Sequence, residues 1–202
     1  AQAQARVGRI ESALMGGEHF FRSALAGEIS NEAAPVVYLR GSASKADGSA
    51  RLNQVQVLGV DSRFWALSLD GDRREIQPGD AVVSAALAAR LGLVAGDNLS
   101  VRVEKPSAFS KDAPLSGEED AIEALRVRVV AIADDARFGR FALQAGQVPP
   151  ATVFLPLEQL QTRLDVPNRV NLILSGLAPD ALQSSAASHW SLEDASLEVR
   201  TL

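Results

Sequence analysis

Between residues 35 and 60 the chain carries its most restrictive local signal. PVVYLRGSAS (35–44) is rich in β-branched and aromatic residues, KADGS follows, and RLNQVQVLGV (51–60) alternates Leu52, Val55 and Val57 with polar neighbours. Alternation with a period of two is the pattern of a strand with one buried face. The Asp47-Gly48 pair between the runs accepts the positive φ that a tight reversal demands. The segment is therefore expected to be a β-hairpin, and the rest of the chain must supply further strands and a covering layer. The 202 residues, 47% of them apolar, are enough for a substantial core.

The remaining segments read as short elements with clear punctuation. ARVGRIESALMGGEHFFRSALAGEI (5–29) spaces Val7, Ile10, Leu14, Phe20, Phe21, Leu25 and Ile29 mostly by three and four, which predicts two amphipathic helices or one broken at Gly16-Gly17. DSRFWAL (61–67) predicts a short helix capped by Asp61 or Ser62, with Phe64, Trp65 and Leu67 as its apolar residues. After Pro78-Gly79-Asp80, a strand over Ala81–Val83 leads into a helix that Ser84 caps and Gly92 ends. Gly96-Asp97 turns the chain into a strand over Leu99–Val103, and Leu125–Ile132 is expected to pair with it. Residues 104–124 hold two prolines, many breakers and an acidic end, and are expected to form a long, exposed, mobile loop. Further strands are expected at Val153–Leu155, Val170–Leu174 and Leu197–Leu202, and helices at Leu157–Leu164 after Pro156 and from Pro179 to His189. Ser191–Asp194 reads as a turn. The expected fold class is α+β, a mixed sheet with several short helices, as one core or two subdomains. Residues 1–30 form the helical lead-in and 31–202 the core.

Several function classes are excluded by what the chain lacks. Its net charge is −5 and its 20 Lys and Arg are scattered along the sequence, which argues against a nucleic-acid binder. Aromatic residues make up only 5%, too few for base- or sugar-stacking platforms. Without cysteine there is no disulfide, thiolate nucleophile or sulfur-ligated metal. The two histidines, His19 and His189, would have to converge with a carboxylate to hold a transition metal. No run of about 18 apolar residues is present. The start on AQAQARVGR and the end on LEVRTL, in an expected strand, lead us to expect that the native polypeptide continues on both sides, into membrane segments among others.

No motif assembles an active site. Asp134-Asp135 follows a strand, but adjacent carboxylates point different ways, and a solvated strand exit is the simpler reading. Glu118, Glu119 and Asp120 read as a solvated loop end. His19, beside Phe20 and Phe21, has no serine or acid at a catalytic spacing and is expected on a helix surface or half buried. There is no nucleophile elbow and no phosphate-binding loop. Trp65 and Trp190 are expected to anchor a core or an interface. FALQAGQVPPATVFLPLEQLQ (141–161) reads as a breaker, Gly146 with Pro149-Pro150, that delivers a strand. Its glutamines, Gln144, Gln147, Gln159 and Gln161, are expected as polar faces. The expectation is no catalytic, cofactor-binding or metal-binding residue.

One resemblance gives this layout a function. VQVLGVDSRFWAL, then GDAVVSAALAARLGLVAGDNLSVRVEKPS, then LRVRVVAIADDARFG resembles the periplasmic core domain of FtsX-like, MacB-type ABC transporter permeases. Gly59, Val60, Asp61 and Phe64, then Val82, Val83, Ser84, Leu87, Ala88, Leu91, Gly96 and Asp97, fit that pattern. The opening VGRIESALMGGEHFFRSALA and the later TVFLPLEQLQ with RVNLIL look like a large-ectodomain branch of the same permeases. The resemblance implies a non-catalytic domain inserted between the first two transmembrane helices of a permease, outside the cell membrane. It implies a permease dimer, a partner ATP-binding cassette ATPase, and an extracytoplasmic protein, peptide or lipoprotein on which the motion acts. No cofactor and no nucleic acid enter this reading. Two alternatives remain open beside it. One is a secreted or cytoplasmic hydrolase using Asp134, Asp135 and His19 or His189, and the other is a stand-alone protein-binding scaffold.

Overall fold

A computed structural model of the protein describes residues 7–106, 122–143, 148–195 and 197. In chain order its strands are β1 (Ser12–Met15), β2 (Phe21–Arg22), β3 (Ala34–Lys45), β4 (Arg51–Val60) and β5 (Asp80–Ser84). They continue with β6 (Asn98–Glu104), β7 (Ile122–Ala133), β8 (Thr152–Pro156), β9 (Arg169–Val170) and β10 (Leu172–Ser175). The helices are α1 (Leu25–Ile29), α2 (Ser62–Ala66), α3 (Ala85–Leu91), α4 (Leu157–Arg163) and α5 (Pro179–His189).

The expected hairpin is β3–β4, antiparallel from Val37↔Gly59 to Ser44↔Arg51. It sits in an eight-stranded sheet of order β1-β10-β3-β4-β8-β5-β7-β6. β4–β8 and β5–β7 are parallel and the other pairs antiparallel, so the sheet is mixed. Because β3 also pairs with β6, the six strands β3-β4-β8-β5-β7-β6 close into a ring. The length of β3 makes this possible: Ala34–Val36 face β10, while Gly41–Lys45 face β6. Gly41 marks the change of partner, and a Cβ there would strike the carbonyl oxygen of Arg102, so the strands can approach only over a glycine.

Side chains alternate between two cores. In β8, Val153 and Leu155 join one and Phe154 the other; in β5, Ala81 and Val83 join the first and Val82 the second. The first core fills the ring with residues such as Val101, Val127 and Val57, and continues under α1, α3, α4 and α5. Gly59 lets α4 settle on β4, since a Cβ there would lie 3.0 Å from Leu160 Cδ2. In the second, Phe64 lies 4.6–5.6 Å, centroid to centroid, from the rings of Trp65, Phe138, Phe141 and Phe154. A bulge in β7 serves both: Ala81 opposes Val129 but Val82 opposes Ala131. The extra residue moves the inward side from Leu125, Val127 and Val129 to Ala131 and Ala133, which touch the second core.

Local punctuation acts as expected at several points. Asp61 caps α2 by accepting from Arg63 N at 2.9 Å. Ser84 Oγ accepts from Leu87 N at 3.2 Å and from Thr152 N at 2.9 Å, capping α3 and tying it to β8. Gly92 ends α3 in the left-handed region. α4 begins after Pro156, and α5 runs from Pro179 to His189.

Four expectations are corrected. The helical reading of 5–29 holds only for α1, because Ser12–Met15 pairs as β1 with β10 and Phe21–Arg22 pairs as β2 with β9. Ladder hydrogen bonds outweigh a weak 3.6 periodicity: Ile10 serves the second core while Leu14 packs on the first, so no single helix face exists. The expected strand at 170–174 is divided at Asn171, whose buried amide accepts from Tyr38 N at 2.7 Å. The same amide donates to Tyr38 O and Gly17 O, each at 2.9 Å. Gln161 is not a polar face either: it is 6% exposed and donates to Arg169 O at 2.8 Å. The expected loop at 104–124 is shorter at both ends, since β6 reaches Glu104 and β7 starts at Ile122. Its expected exposure and mobility lie outside the described residues, as does the strand expected at 197–202 apart from Leu197, whose N–H donates to Leu192 O at 2.8 Å.

Candidate functional site

The most elaborate polar site joins the two ends of the described chain. Asp194, in the turn after α5, has a fully buried side chain. Its Oδ1 accepts from Arg22 N at 3.0 Å and Arg22 Nε at 3.1 Å. Its Oδ2 accepts from Arg22 Nη2 and Ser191 Oγ, each at 2.8 Å, and from Ser191 N at 3.0 Å. Burial pushes this carboxyl up, but the hydrogen bonds from Arg22 and Ser191 outweigh it and hold it at about 2. The Arg22 guanidinium is raised in turn, by its hydrogen bonds to Asp194 and then to Glu28 at 2.9 Å.

Neighbouring contacts complete this clasp. Arg22 Nη2 donates to His189 O at 3.2 Å, at the end of α5. Phe21, 1% exposed, lies 5.8 Å from the Trp190 ring. Arg169 of β9 donates through Nη1 to Glu193 O at 3.3 Å. Residues 19–28 are thereby bound to residues 189–194 through charge-assisted bonds and one aromatic contact. The arrangement holds and aligns two chain segments. The hydroxyl inside it, Ser191 Oγ, is a donor to the Arg22-paired Asp194 carboxylate.

The candidate residues of the hydrolase alternative are not brought together. Asp134 is more than half exposed and accepts from Arg137 N at 3.1 Å, capping a single 3₁₀ turn over Asp135–Arg137. Asp135, also more than half exposed, pairs with Arg140 Nε at 3.0 Å. His19, exposed in a loop, meets the Asp194 carbonyl oxygen through Nε2 at 2.5 Å. The His189 ring engages Ser185 O at 2.8 Å and Ser188 Oγ at 3.1 Å. Both histidines thus approach the clasp, but no group of three or more metal-ligating side chains occurs among the described residues. Trp65 is a core residue and Trp190, 41% exposed, leans on Phe21. Glu118, Glu119, Asp120, Gln144, Gly146 and Gln147 lie outside the described residues.

Arg22 and Asp194 carry this site, and neither is conspicuous in the sequence. The Ser191–Asp194 turn is legible as SLED, but the burial of its carboxylate depends on a cation 172 positions earlier. A second feature is a depression of about 1330 Å³ where β3, β4 and β6 meet the segment before β8; Arg40, Arg51, Arg90 and Arg102 are among its lining residues.

No protein-family model matches the chain, and no curated protein matches it by sequence. Solved structures do. The periplasmic region of MacB from Actinobacillus actinomycetemcomitans is 10% identical and superposes with a TM-score of 0.51, over 89% of this chain and 83% of that one. The extracellular domain of the ABC-type transporter YknZ from Gram-positive bacteria is 13% identical, with a TM-score of 0.46 over 89% and 86%. No helix among the described residues is long and apolar enough to cross a membrane.

Proposed function

We propose that this chain, which has the α+β fold of the MacB periplasmic region, is the non-catalytic extracytoplasmic domain of an ABC transporter permease. The observation that carries the proposal is the superposition over 89% of the chain, together with the order of motifs from Gly59-Val60-Asp61 to Gly96-Asp97. In this reading a membrane span precedes the first 30 residues or so, and another follows the last. The permease dimerises, a partner ATPase supplies the energy, and an extracytoplasmic protein, peptide or lipoprotein receives the motion.

The clasp suits such a role. Force arriving through flanking spans would enter the domain at residues 19–28 and 189–194, which Arg22 and Asp194 hold together. The ring, filled with apolar side chains, would then move as a unit, because a close-packed core transmits displacement rather than absorbing it.

Topology tests the proposal directly. The 202 residues contain no cysteine, so Ala46→Cys, at the exposed tip of the β3–β4 hairpin, gives one labelling site here once any cysteines of the flanking sequence are replaced. In spheroplasts making the full-length protein, a membrane-impermeant maleimide is expected to label this position. Labelling only after lysis would overturn the extracytoplasmic placement. A full reading frame with fewer than four apolar spans would overturn the permease reading.

A further inference from the structure

Although the basic residues are scattered along the sequence, the ring gathers several onto one face. In β6, Leu99, Val101 and Val103 point into the ring, so Arg102 points out; in β7, Leu125 and Val127 point in and Arg126 points out. On β3, Val37 and Ala43 belong to the inner core, and Arg40 is exposed on the opposite side. The register makes these three neighbours: Ser42 opposes Arg102, and Arg102 opposes Ala124. Arg40 and Arg126 are each two residues from those partners, hence diagonal to Arg102 on either side at about 7–8 Å.

Among the described residues Arg40, Arg90, Arg102 and Arg126 make no ion pair, and Arg51 reaches only Asn53 Oδ1, at 2.9 Å. Arg40, Arg51, Arg90 and Arg102 line one depression of about 1330 Å³, and among the described residues of its lining Glu104 is the one carboxylate. The amide side chains of Asn53, Gln54 and Gln56 line it too. On a chain of net charge −5, such a face is a local reversal of sign that orients an acidic partner.

We propose that this face binds an extended, acidic segment of a partner protein, with carboxylates at alternate positions seated on Arg40, Arg102 and Arg126. Alternate residues of an extended chain are about 6.7 Å apart, close to but slightly under the arginines' diagonal spacing of about 7–8 Å. Each guanidinium offers a planar fork that a carboxylate fills with two hydrogen bonds. The neighbouring amides can pair with the peptide groups of such a segment, which a lipid headgroup or a bare phosphate would leave unused. A single-stranded nucleic acid would need stacking platforms, and Tyr38 is the only aromatic residue among the described residues of the lining.

The binding face does not depend on the permease reading, and the two fail separately. The test uses the 202-residue chain and a fluorescent peptide of alternating glutamate and threonine. A peptide of identical composition with its glutamates in one block, a single-stranded oligonucleotide and phosphatidylglycerol vesicles serve as comparisons. The alternating peptide is expected to bind in a salt-sensitive manner and severalfold more tightly than the blocked one. The double substitution Arg40→Gln with Arg102→Gln is expected to weaken it by about tenfold or more with an unchanged melting temperature. Equal binding of both peptides, equal binding by the variant, or tighter binding of the oligonucleotide or vesicles would each overturn the proposal. So would binding that appears only after Glu118→Gln, Glu119→Gln and Asp120→Asn, which would assign the face to this chain's own acidic run.

Discussion

The aromatic layer around Phe64 and the clasp around Asp194 each centre on a residue at 0% exposure, yet different forces hold them. Phe64 contacts four aromatic rings contributed by α2, β8 and the segment after β7. Dispersion and apolar burial stabilise that layer, neither of which depends on pH. The clasp unites segments more than 160 residues apart through one buried carboxylate and the groups that donate to it. Its strength is electrostatic, so it depends on charge state and on keeping both partners. The difference predicts a body that unfolds as one and a junction that can be released by itself.

The largest effect should come from the aromatic layer. Phe64→Ala removes the ring that the other four share, and a cost of about 3–5 kcal/mol is expected. Chemical denaturation should show this as a lower midpoint with one cooperative transition. A cost below 1 kcal/mol would mean that the second core collapses around the gap and is not the organising layer.

Next comes Arg22→Leu, which leaves Asp194 buried without its cation and should cost about 3 kcal/mol. Hydrogen exchange should show the loss at residues 19–29 and 189–195 while the ring amides stay protected. Uniform loss across the ring would make the clasp part of the same cooperative unit and erase the contrast drawn above.

Acid should separate the two regions with a smaller effect. The folded state holds Asp194 at about 2 against an ordinary 3.8, so it favours the ionised form. That stabilisation is complete above about pH 4 and is lost as pH falls through about 2, a change of roughly 2 kcal/mol. Asp194→Asn should flatten the stability profile over this window. An unchanged profile would show that Asp194 contributes no such term.

Much of the ring was legible locally. The Asp47-Gly48 hairpin, the caps at Asp61 and Ser84, the stop at Gly92 and the β6–β7 pairing all rest on neighbours in sequence or on plain alternation. The lead-in was misread because Val7, Ile10 and Leu14 repeat at helical intervals while β10 supplies a strand partner some 160 residues away. Gln161 was misread for a related reason, since nothing near it reveals that Arg169 O will be its acceptor.

The sequence by itself determined the element types wherever turn chemistry and periodicity agreed, and it excluded disulfides, thiolate chemistry and a phosphate-binding loop. Only the tertiary structure decided that β3 would change partners at Gly41 and close a ring, that Arg22 and Asp194 would join the chain ends, and that scattered arginines would share one outer face. The physical reason is range. Caps and turns are settled within a few residues, whereas strand partners, buried ion pairs and surface patches depend on which distant segments the packed core brings together.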